Sequence, residues 1–453
     1  MKHLSRSGII AYSMGSVAAG LFYAFNNFTL PLFLSFYTKD AIIIGWLSST
    51  RSVEQAFIQP FVGGWSDRTW TRLGRRAPFF LIAMPISALF FVITTLIPHD
   101  PSLLGPVIVA VFIFSFMFNV GIDPYVALLA DVTESIQRGT INGVAAVFGF
   151  LGQVVILIAA GLIWEQHHDW VFYLIALGLV LGFGIVALGV RERQQLVEGE
   201  ERTQPTDSML KPSLAPYIEY IRDRWRESRD AVKLLLVRFL YQIGVNAAVP
   251  FLTLFVSTQI GTAGWREMIS LIPGGANLAF GNTTVANLDA QGVSQIVAAL
   301  FLLVTMLFAI PCGWLGDHLG KKRVFRVGLL VMGIVALFAA FATSIPQLLF
   351  YLIFLGLGNA AVSILFFPYL SDLVRADQMG EFQGLSATAE TGGIALSVLL
   401  AGALINLNLF DMKYRIIFIV TGIFLLLGVV AVSFVRAQLE AGAAPFNSPP
   451  ALH

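Results

Sequence analysis

The sequence predicts an all-α membrane protein, twelve transmembrane helices in two pseudo-symmetric six-helix bundles with both termini cytoplasmic. Three observations lead there. Of 453 residues, 57% are hydrophobic and 12% charged, about half the charge of an ordinary soluble domain. Apolar runs of about 20 residues, long enough to cross ~30 Å of hydrocarbon, recur along nearly the whole chain. A set of Gly, Asp and basic residues also recurs at matching intervals in the two halves.

The apolar runs place spans at 8–34, 42–65, 79–97, 103–130, 140–163, 170–190, 232–257, 292–312, 323–343, 346–371, 383–405 and 415–436. With cytoplasmic termini, 22 of the 28 Lys and Arg fall in cytoplasmic segments, as the positive-inside bias requires. Lys39, Arg266, Lys413 and Arg415 fall outside, and Arg51 and Arg238 lie within spans. The basic start followed by an apolar run is too long for a signal peptide and lacks a small-residue cleavage site, so it reads as span 1. The expected domains are 1–190, a cytoplasmic loop 191–231, 232–440 and a tail 441–453. A net charge of +1 gives no sign of a nucleic-acid partner. The single cysteine, Cys312, excludes an intramolecular disulfide or a cysteine metal cluster and reads as a small core residue.

The polar stretch 191–230 divides the spans six and six, and its charged run Arg222–Asp230 reads as a solvated surface helix. The outside segment 259–291 is Gly/Asn-rich and is either an ordered cap or a variable loop. Asn282-Thr283-Thr284 matches a glycosylation acceptor, a pattern common by chance.

The repeat is one of spacing as well as residue type. Gly63 and Asp67, then Gly74-Arg75-Arg76, are mirrored by Gly313 and Asp317, then Gly320-Lys321-Lys322. Asp131, Gln137, Gly139 and Gly143 are mirrored by Asp372, Gln378, Gly380 and Gly384 at identical intervals. Parallel repeats of this kind relate two halves about an axis normal to the membrane and place a substrate site between them near midplane, with alternating access by rocking.

The stretch Gln59-Pro60-Phe61-Val62-Gly63-Gly64-Trp65-Ser66-Asp67-Arg68, continuing to Gly74-Arg75-Arg76-Ala77-Pro78-Phe79, resembles the major facilitator superfamily. More narrowly, it resembles the sucrose-transporter and glycoside-pentoside-hexuronide:cation symporter group. Ala127-Leu128-Leu129-Ala130-Asp131 with Gln137-Arg138 and Asn142, and Pro368-Tyr369-Leu370-Ser371-Asp372, are similar to the same group's helix 4 and helix 10 exits. Two departures fall where substrate and ion chemistry would lie. Val126 stands where plant-type sucrose carriers have an arginine, which weighs against sucrose. Gln55 and Gln59 stand where melibiose-type permeases carry two Asp of a sodium site, and neutral amides supply far less charge than carboxylates. Asp123-Pro124-Tyr125 does resemble the helix 4 cluster of those permeases, and the resemblance makes Asp123 the leading coupling residue, with Glu54 as a second.

Charged side chains inside a span cost about 2.5–3.5 kcal/mol on insertion scales and need a partner or a wet cavity. Five stand out: Arg51, Glu54, Asp123, Arg238 and Glu390. Arg51 and Glu54 share a helix face, so they pair with each other or jointly contact a polar substrate. Asp123 is either a proton carrier or a carboxylate bound structurally to neighbouring helices. Moving a carboxyl's titration from about 3.9 to about 7 takes roughly 4 kcal/mol, within the range of burial effects. Arg238 and Glu390 form either a structural bridge or a substrate contact. Asn26, Asn27, Gln55, Asn119, Gln242, Asn246 and Asn359 are candidate partners for sugar hydroxyls, and buried amides also bridge helices.

The loop motifs imply a different role. By the resemblance, Gly63, Asp67, Arg68, Gly74, Arg75 and Arg76, with Asp131, Arg138, Gly313, Asp317, Lys321 and Asp372, form a cytoplasmic gate that locks the halves while the cavity faces outward. Positive-inside anchoring alone accounts for the basic residues but not for the Asp or Gly.

The expected function is proton-coupled symport of a sugar or glycoside, in a monomer of a bacterial inner membrane, with no cofactor or metal. The alternatives are movement of another small polar metabolite, such as an organic acid anchored by Arg51, or a non-transporting sensor. His167 and His168 are adjacent in an outside loop, but no His-Glu-x-x-His or Gly-x-Ser-x-Gly pattern supports an enzyme. Without a Gly-x-x-x-x-Gly-Lys-Ser/Thr loop, an ion gradient is the expected energy source.

Overall fold

A computed structural model describes residues 4–133, 135–190, 229–273, 275, 279–280, 283–374 and 379–435. The chain folds into long helices: α1 Arg6–Leu34, α2 Ala41–Arg68, α3 Ala77–Thr95 and α4 Leu104–Val132. The next helix, Ser135–Gly189, is broken at His167 (φ −148°, ψ 57°), and its limbs are α5 (135–166) and α6 (168–189). The second half holds α7 Arg229–Ile260, α8 Ala290–Leu319, α9 Lys321–Ala339, α10 Ile345–Ser371, α11 Met379–Leu407 and α12 Ile416–Ser433.

Nine helical stretches among the described residues, with α5 and α6 counted as one, are long and apolar enough to cross a membrane. The 50-residue stretch Thr140–Gly189 would measure ~75 Å if straight, more than twice the hydrocarbon thickness, so the break at His167 divides it. The span boundaries read from the sequence fall within a few residues of the helix ends. The largest difference is α8, which continues to Leu319, past the end of its apolar run at 312.

Helix starts follow capping chemistry. Ser5 accepts from Gly8 N at 3.2 Å, Asp40 from Ile42 N at 2.8 Å, and Asp289 from Gly292 N at 2.7 Å, each satisfying a donor that the first turn leaves open. Two helices depart from α geometry near the face opposite the termini. α1 passes through a π turn at Phe25–Thr29, and α7 through a 3-10 turn at Val249–Phe251 and a π turn at Val256–Ile260. Pro250 lacks the amide that an α turn would use there.

Small residues set the packing. α1 lies against α5 at Gly20 and Gly149 and at Val17 and Gly152, and against α6 through Gly178 and Gly182, where any Cβ would meet its neighbour. Helices approach this closely in apolar solvent because association relies on packing rather than on a hydrophobic drive.

The hydrogen bonds that join the two halves among the described residues all lie at the far face, opposite the termini. Asn406 Nδ2 donates to Asp40 Oδ1 at 2.7 Å, and Ala41 N donates to Asn406 Oδ1 at 2.9 Å, tying α2 to α11. Trp164 Nε1 donates to Gln291 Oε1 at 2.7 Å, tying α5 to α8, and the two helices cross at Gly161 and Gly292. Thr253 Oγ1 donates to the Phe28 carbonyl at 2.7 Å, and Thr29 Oγ1 to Gln295 Oε1 at 3.1 Å. Toward the terminal face the same helices carry Gly63, Gly64, Gly143 and Gly384, beside which an added Cβ meets nothing within 4 Å.

Of the two readings of segment 259–291, the ordered cap is the one observed in its described part. Trp265–Ser270 is helical, Ala279–Phe280 pairs antiparallel with Thr283–Thr284, and Trp265 Nε1 donates to the Val285 carbonyl at 2.8 Å. Asn282, the stretch 191–228 and the tail from 436 lie outside the described residues, as do the side chains of Arg51, Gln55, Asp67, Arg68 and Arg138.

Candidate substrate and coupling site

Each half contains a buried polar cluster where its helices face one another. In the first half, Glu54 on α2 and Asn119 on α4 meet: Asn119 Nδ2 donates to Glu54 Oε2 at 3.2 Å, and both residues are buried. Asp123 lies one turn beyond Asn119 on the same helix face and is also buried. Two residues singled out separately in the sequence, Glu54 and Asn119, therefore meet between α2 and α4, with Asp123 buried one turn along α4. Pro124 follows Asp123 within α4 and removes an amide from the helix at that turn.

In the second half, Arg238 Nη2 donates to Glu390 Oε2 at 2.6 Å, joining α7 to α11. The guanidinium carbon sits 4.7 Å from the Phe366 ring centroid and 5.8 Å from that of Tyr241. Tyr241 Oη donates to Asn359 Oδ1 at 2.6 Å and lies 3.0 Å from Ser363 Oγ, so α10 joins the network. Arg238 is buried, whereas the Glu390 side chain is 38% exposed. A carboxylate within a span is costly unless paired or hydrated, and Arg238 supplies the pairing here.

The amides divide by role. Asn26 is buried and donates to the Ser48 carbonyl, fastening α1 to α2 beside the π turn. Asn246 Nδ2 donates to Gln242 Oε1 at 3.0 Å within α7, and Asn359 is held by Tyr241. Asn27 is half-buried on the π turn.

A cavity of about 340 Å³ opens between α1, α4 and α5, lined by Tyr12, Ser16, Tyr23, Tyr125, Asn142 and Gln153. Tyr12 and Tyr125 stack with centroids 4.6 Å apart, Tyr125 Oη lies 2.7 Å from Ser16 Oγ, and it donates to the Tyr12 carbonyl at 2.8 Å. Aromatic walls with a few fixed polar groups are the usual make-up of a small-molecule site. Val126 is on this wall, so the position where the sucrose carriers have an arginine faces the cavity here with an apolar side chain. The sequence reading ranked charges and amides and passed over Tyr12, Ser16 and Tyr241. Hydroxyls one turn apart inside a span, as at Tyr12 and Ser16, were the available signal.

At the terminal face the gate residues pair within their own halves. Asp131 accepts from Arg75 and, at 2.9 Å, from Arg76 Nε, while Arg76 also donates to Ser66. Lys321 Nζ lies 2.8 Å from Asp372 Oδ1. Gly74 (φ 106°) and Gly320 (φ 90°) occupy the left-handed region that favours glycine, which explains their recurrence. Gly63 and Gly313 lie one turn before Asp67 and Asp317 on α2 and α8.

Two helical halves with a polar cluster in each, joined by hydrogen bonds at one face, are the architecture of a polytopic membrane protein of two-bundle type. The Major Facilitator Superfamily profile matches the chain twice, over residues 12–287 and 234–451, and the chain belongs to that superfamily. The isoprimeverose transporter of Lactiplantibacillus pentosus is 23% identical over 388 residues, 80% of this chain and 71% of that protein. The uncharacterized symporter YnaJ of Bacillus subtilis is 27% identical over 54% of this chain and 53% of its own length. The inner membrane metabolite transport protein YdjE of Escherichia coli is 26% identical over 152 residues, and the match covers 33% of that protein and 32% of this chain. The nucleoside transporter NupG superposes with a TM-score of 0.65 at 13% identity, over 95% of this chain and 98% of its own. An inward-facing, occupied bacterial homolog of the lysosomal transporter Spinster gives 0.66 at 12% identity over 96% of each chain. Both superpositions speak to the fold alone.

Proposed function

We propose that the protein is a proton-coupled symporter of a sugar or glycoside, working by alternating access across twelve spans, the nine apolar stretches plus the split at His167 and the charge-bearing helices α2 and α9. The bundles 1–190 and 232–440 rock about the cleft, and the chain works as a monomer in a bacterial inner membrane without cofactor. The termini and the loop 191–231 are cytoplasmic, which makes the observed conformation open to the cytoplasm and closed at the far face. The observation that carries the reading is the burial of Asp123 on α4 one turn from Asn119, which donates to the buried Glu54 of α2.

Asp123 binds the proton, and Glu54, held by Asn119, shares the site's charge. A carboxylate that is desolvated when the cleft closes gains from taking up a proton and gives it back when water returns. Arg51, Gln55, Asn27 and the tyrosine-lined cavity bind sugar hydroxyls and the apolar sugar face, with Gln242, Asn246 and Asn359 opposite. Arg238 and Glu390 hold α7, α10 and α11 together. The gate set, including Asp67, Arg68, Arg138 and Asp317, meets its counterparts when the cytoplasmic side closes. The isoprimeverose carrier among the relatives supports a sugar substrate.

Thermal stabilisation of the purified protein across sugars, glycosides and organic acids, at several pH values with and without sodium, tests the assignment. A sugar-induced shift that depends on pH and ignores sodium is the expected result; a sodium-dependent shift, or none with any sugar, contradicts it.

A further inference from the structure

At the far face the two halves enclose a second cavity, of about 910 Å³, above the contacts that close the cleft. Its wall carries Lys39 from the α1–α2 turn and Lys413 and Arg415 from the turn before α12, so it draws cations from both halves. These are three of the four Lys and Arg that the charge pattern puts outside the spans on that side. None of the three forms an ion pair among the described residues. The carboxylate on the wall, Asp289, is engaged: its Oδ1 accepts from Gly292 N at 2.7 Å and caps α8.

The turn that presents Lys413 is held in an unfavourable backbone state. Asn408, Phe410, Asp411 and Lys413 all have positive φ, which Asn and Asp enter readily and which costs Phe410 and Lys413 roughly 1 kcal/mol each. The turn is held by Asn408, whose Oδ1 accepts from Lys413 N at 3.0 Å and whose Nδ2 donates to Asp411 Oδ1 at 3.0 Å, and it fixes where Lys413 is presented. Gln291 is both a wall of the chamber and, through Trp164, one of the contacts that close the far face.

We propose that this chamber is an anion-binding vestibule, which takes a small solute bearing a carboxylate, phosphate or sulfate group at the closed far face and passes it to the cleft as that face opens. Three unpaired cations against the single carboxylate of Asp289 leave the wall net positive, which concentrates an anion, and an anion bound there relieves their repulsion. The hydroxyl of Tyr414 supplies a neutral partner beside the charges. Solutes with an acidic group thereby gain an advantage at entry over neutral ones. Only the direction of passage rests on the reading of the far face as external.

The test is equilibrium binding and thermal stabilisation of the whole protein in neutral detergent at low ionic strength, with inorganic phosphate, glucuronate and, as a neutral control, glucose. Detergent exposes both faces, so the result does not depend on orientation. Phosphate and glucuronate are expected to raise the midpoint by several degrees, with the effect fading above about 0.3 M salt as charges are screened. The K39Q/K413Q/R415Q variant is expected to lose that shift and to keep any response to glucose. Since the glucose response belongs to the central site, failure of the sugar assignment and failure of the vestibule give different results. K39Q/K413Q, which alters two exposed side chains, covers the case in which the triple variant does not fold, and a phosphate Kd at least threefold weaker is expected. An anion response equal in wild type and variants, no response at all, or stabilisation by short-chain phosphatidylglycerol without one by phosphate overturns the proposal.

Discussion

Lys321 Nζ lies 2.8 Å from Asp372 Oδ1 and does in the second half what Arg75 does with Asp131 in the first. Each base directly follows a glycine in the left-handed region, Gly320 or Gly74. Each acid sits at the terminal-face end of the next helix but one, α10 or α4. The repeat is thus one of conformation: a turn that only glycine enters cheaply aims a base back at an acid.

Gly320→Ala should therefore destabilise the protein by about 1 kcal/mol through backbone strain, although an added Cβ has open space around it. Gly384→Ala, in helical backbone with equal space, should be neutral or stabilising by up to about 1 kcal/mol. If the halves close here in the other access state, Gly384→Ala should still slow transport. Thermal midpoints together with uptake rates check both.

Closure of the far face depends on a near contact of backbones. A Cβ at Gly292 would lie 2.5 Å from the Gly161 carbonyl oxygen, too close for any real pair. Gly292→Val should keep α5 and α8 apart, favour the conformation open at the far face, and lower transport at least tenfold. Spin-label distances across that face should lengthen in the variant.

Arg238 and Glu390 differ in exposure, and so should their variants. Glu390→Gln leaves a buried guanidinium that cannot deprotonate, whereas Arg238→Met leaves a carboxylate that is 38% exposed. Glu390→Gln should be the more destabilising by on the order of 1–3 kcal/mol. The double Met variant should recover most of the loss in thermal midpoint.

His99, in the α3–α4 turn, packs on Phe36 with centroids 4.8 Å apart and lies 4.9 Å from the ring of His168, whose Nε2 is 3.2 Å from Asp169. Burial, then repulsion from His168, lower its pKa below 6.5, while Asp169 opposes the shift. The unfolded chain then binds the proton more readily, so this contribution is complete above about pH 6.5 and is lost as pH falls toward the folded-state pKa. His99→Gln should flatten the acid side of the midpoint-against-pH curve, with a small effect because the ring is only partly withdrawn from water, which screens the shift.

Much of this was legible in the sequence. The helices and the motif repeat were readable because apolar length and the recurrence of Gly and Asp are local properties of the chain. Arg238 was matched with Glu390 because two charges inside spans must be compensated. The meeting of Glu54 with Asn119 was not, since pairing across α2 and α4 depends on how the two helices are placed and rotated against each other, which the periodicity of either one leaves open. Tyr241 and Ser16 were missed because hydroxyls in spans are too common to single out. The chamber at Lys39, Lys413 and Arg415 was hidden for another reason: its walls come from four segments far apart in the chain.

The account stands most directly on solute accumulation in proteoliposomes reconstituted with wild-type protein or Asp123→Asn, under an imposed pH or sodium gradient. It predicts that a pH gradient, and not a sodium gradient, drives uphill uptake of a sugar or glycoside by the wild type. Asp123→Asn should retain exchange of the solute down its own gradient and lose the uphill component. Uphill uptake by Asp123→Asn equal to that of the wild type, or accumulation driven by sodium, would contradict it.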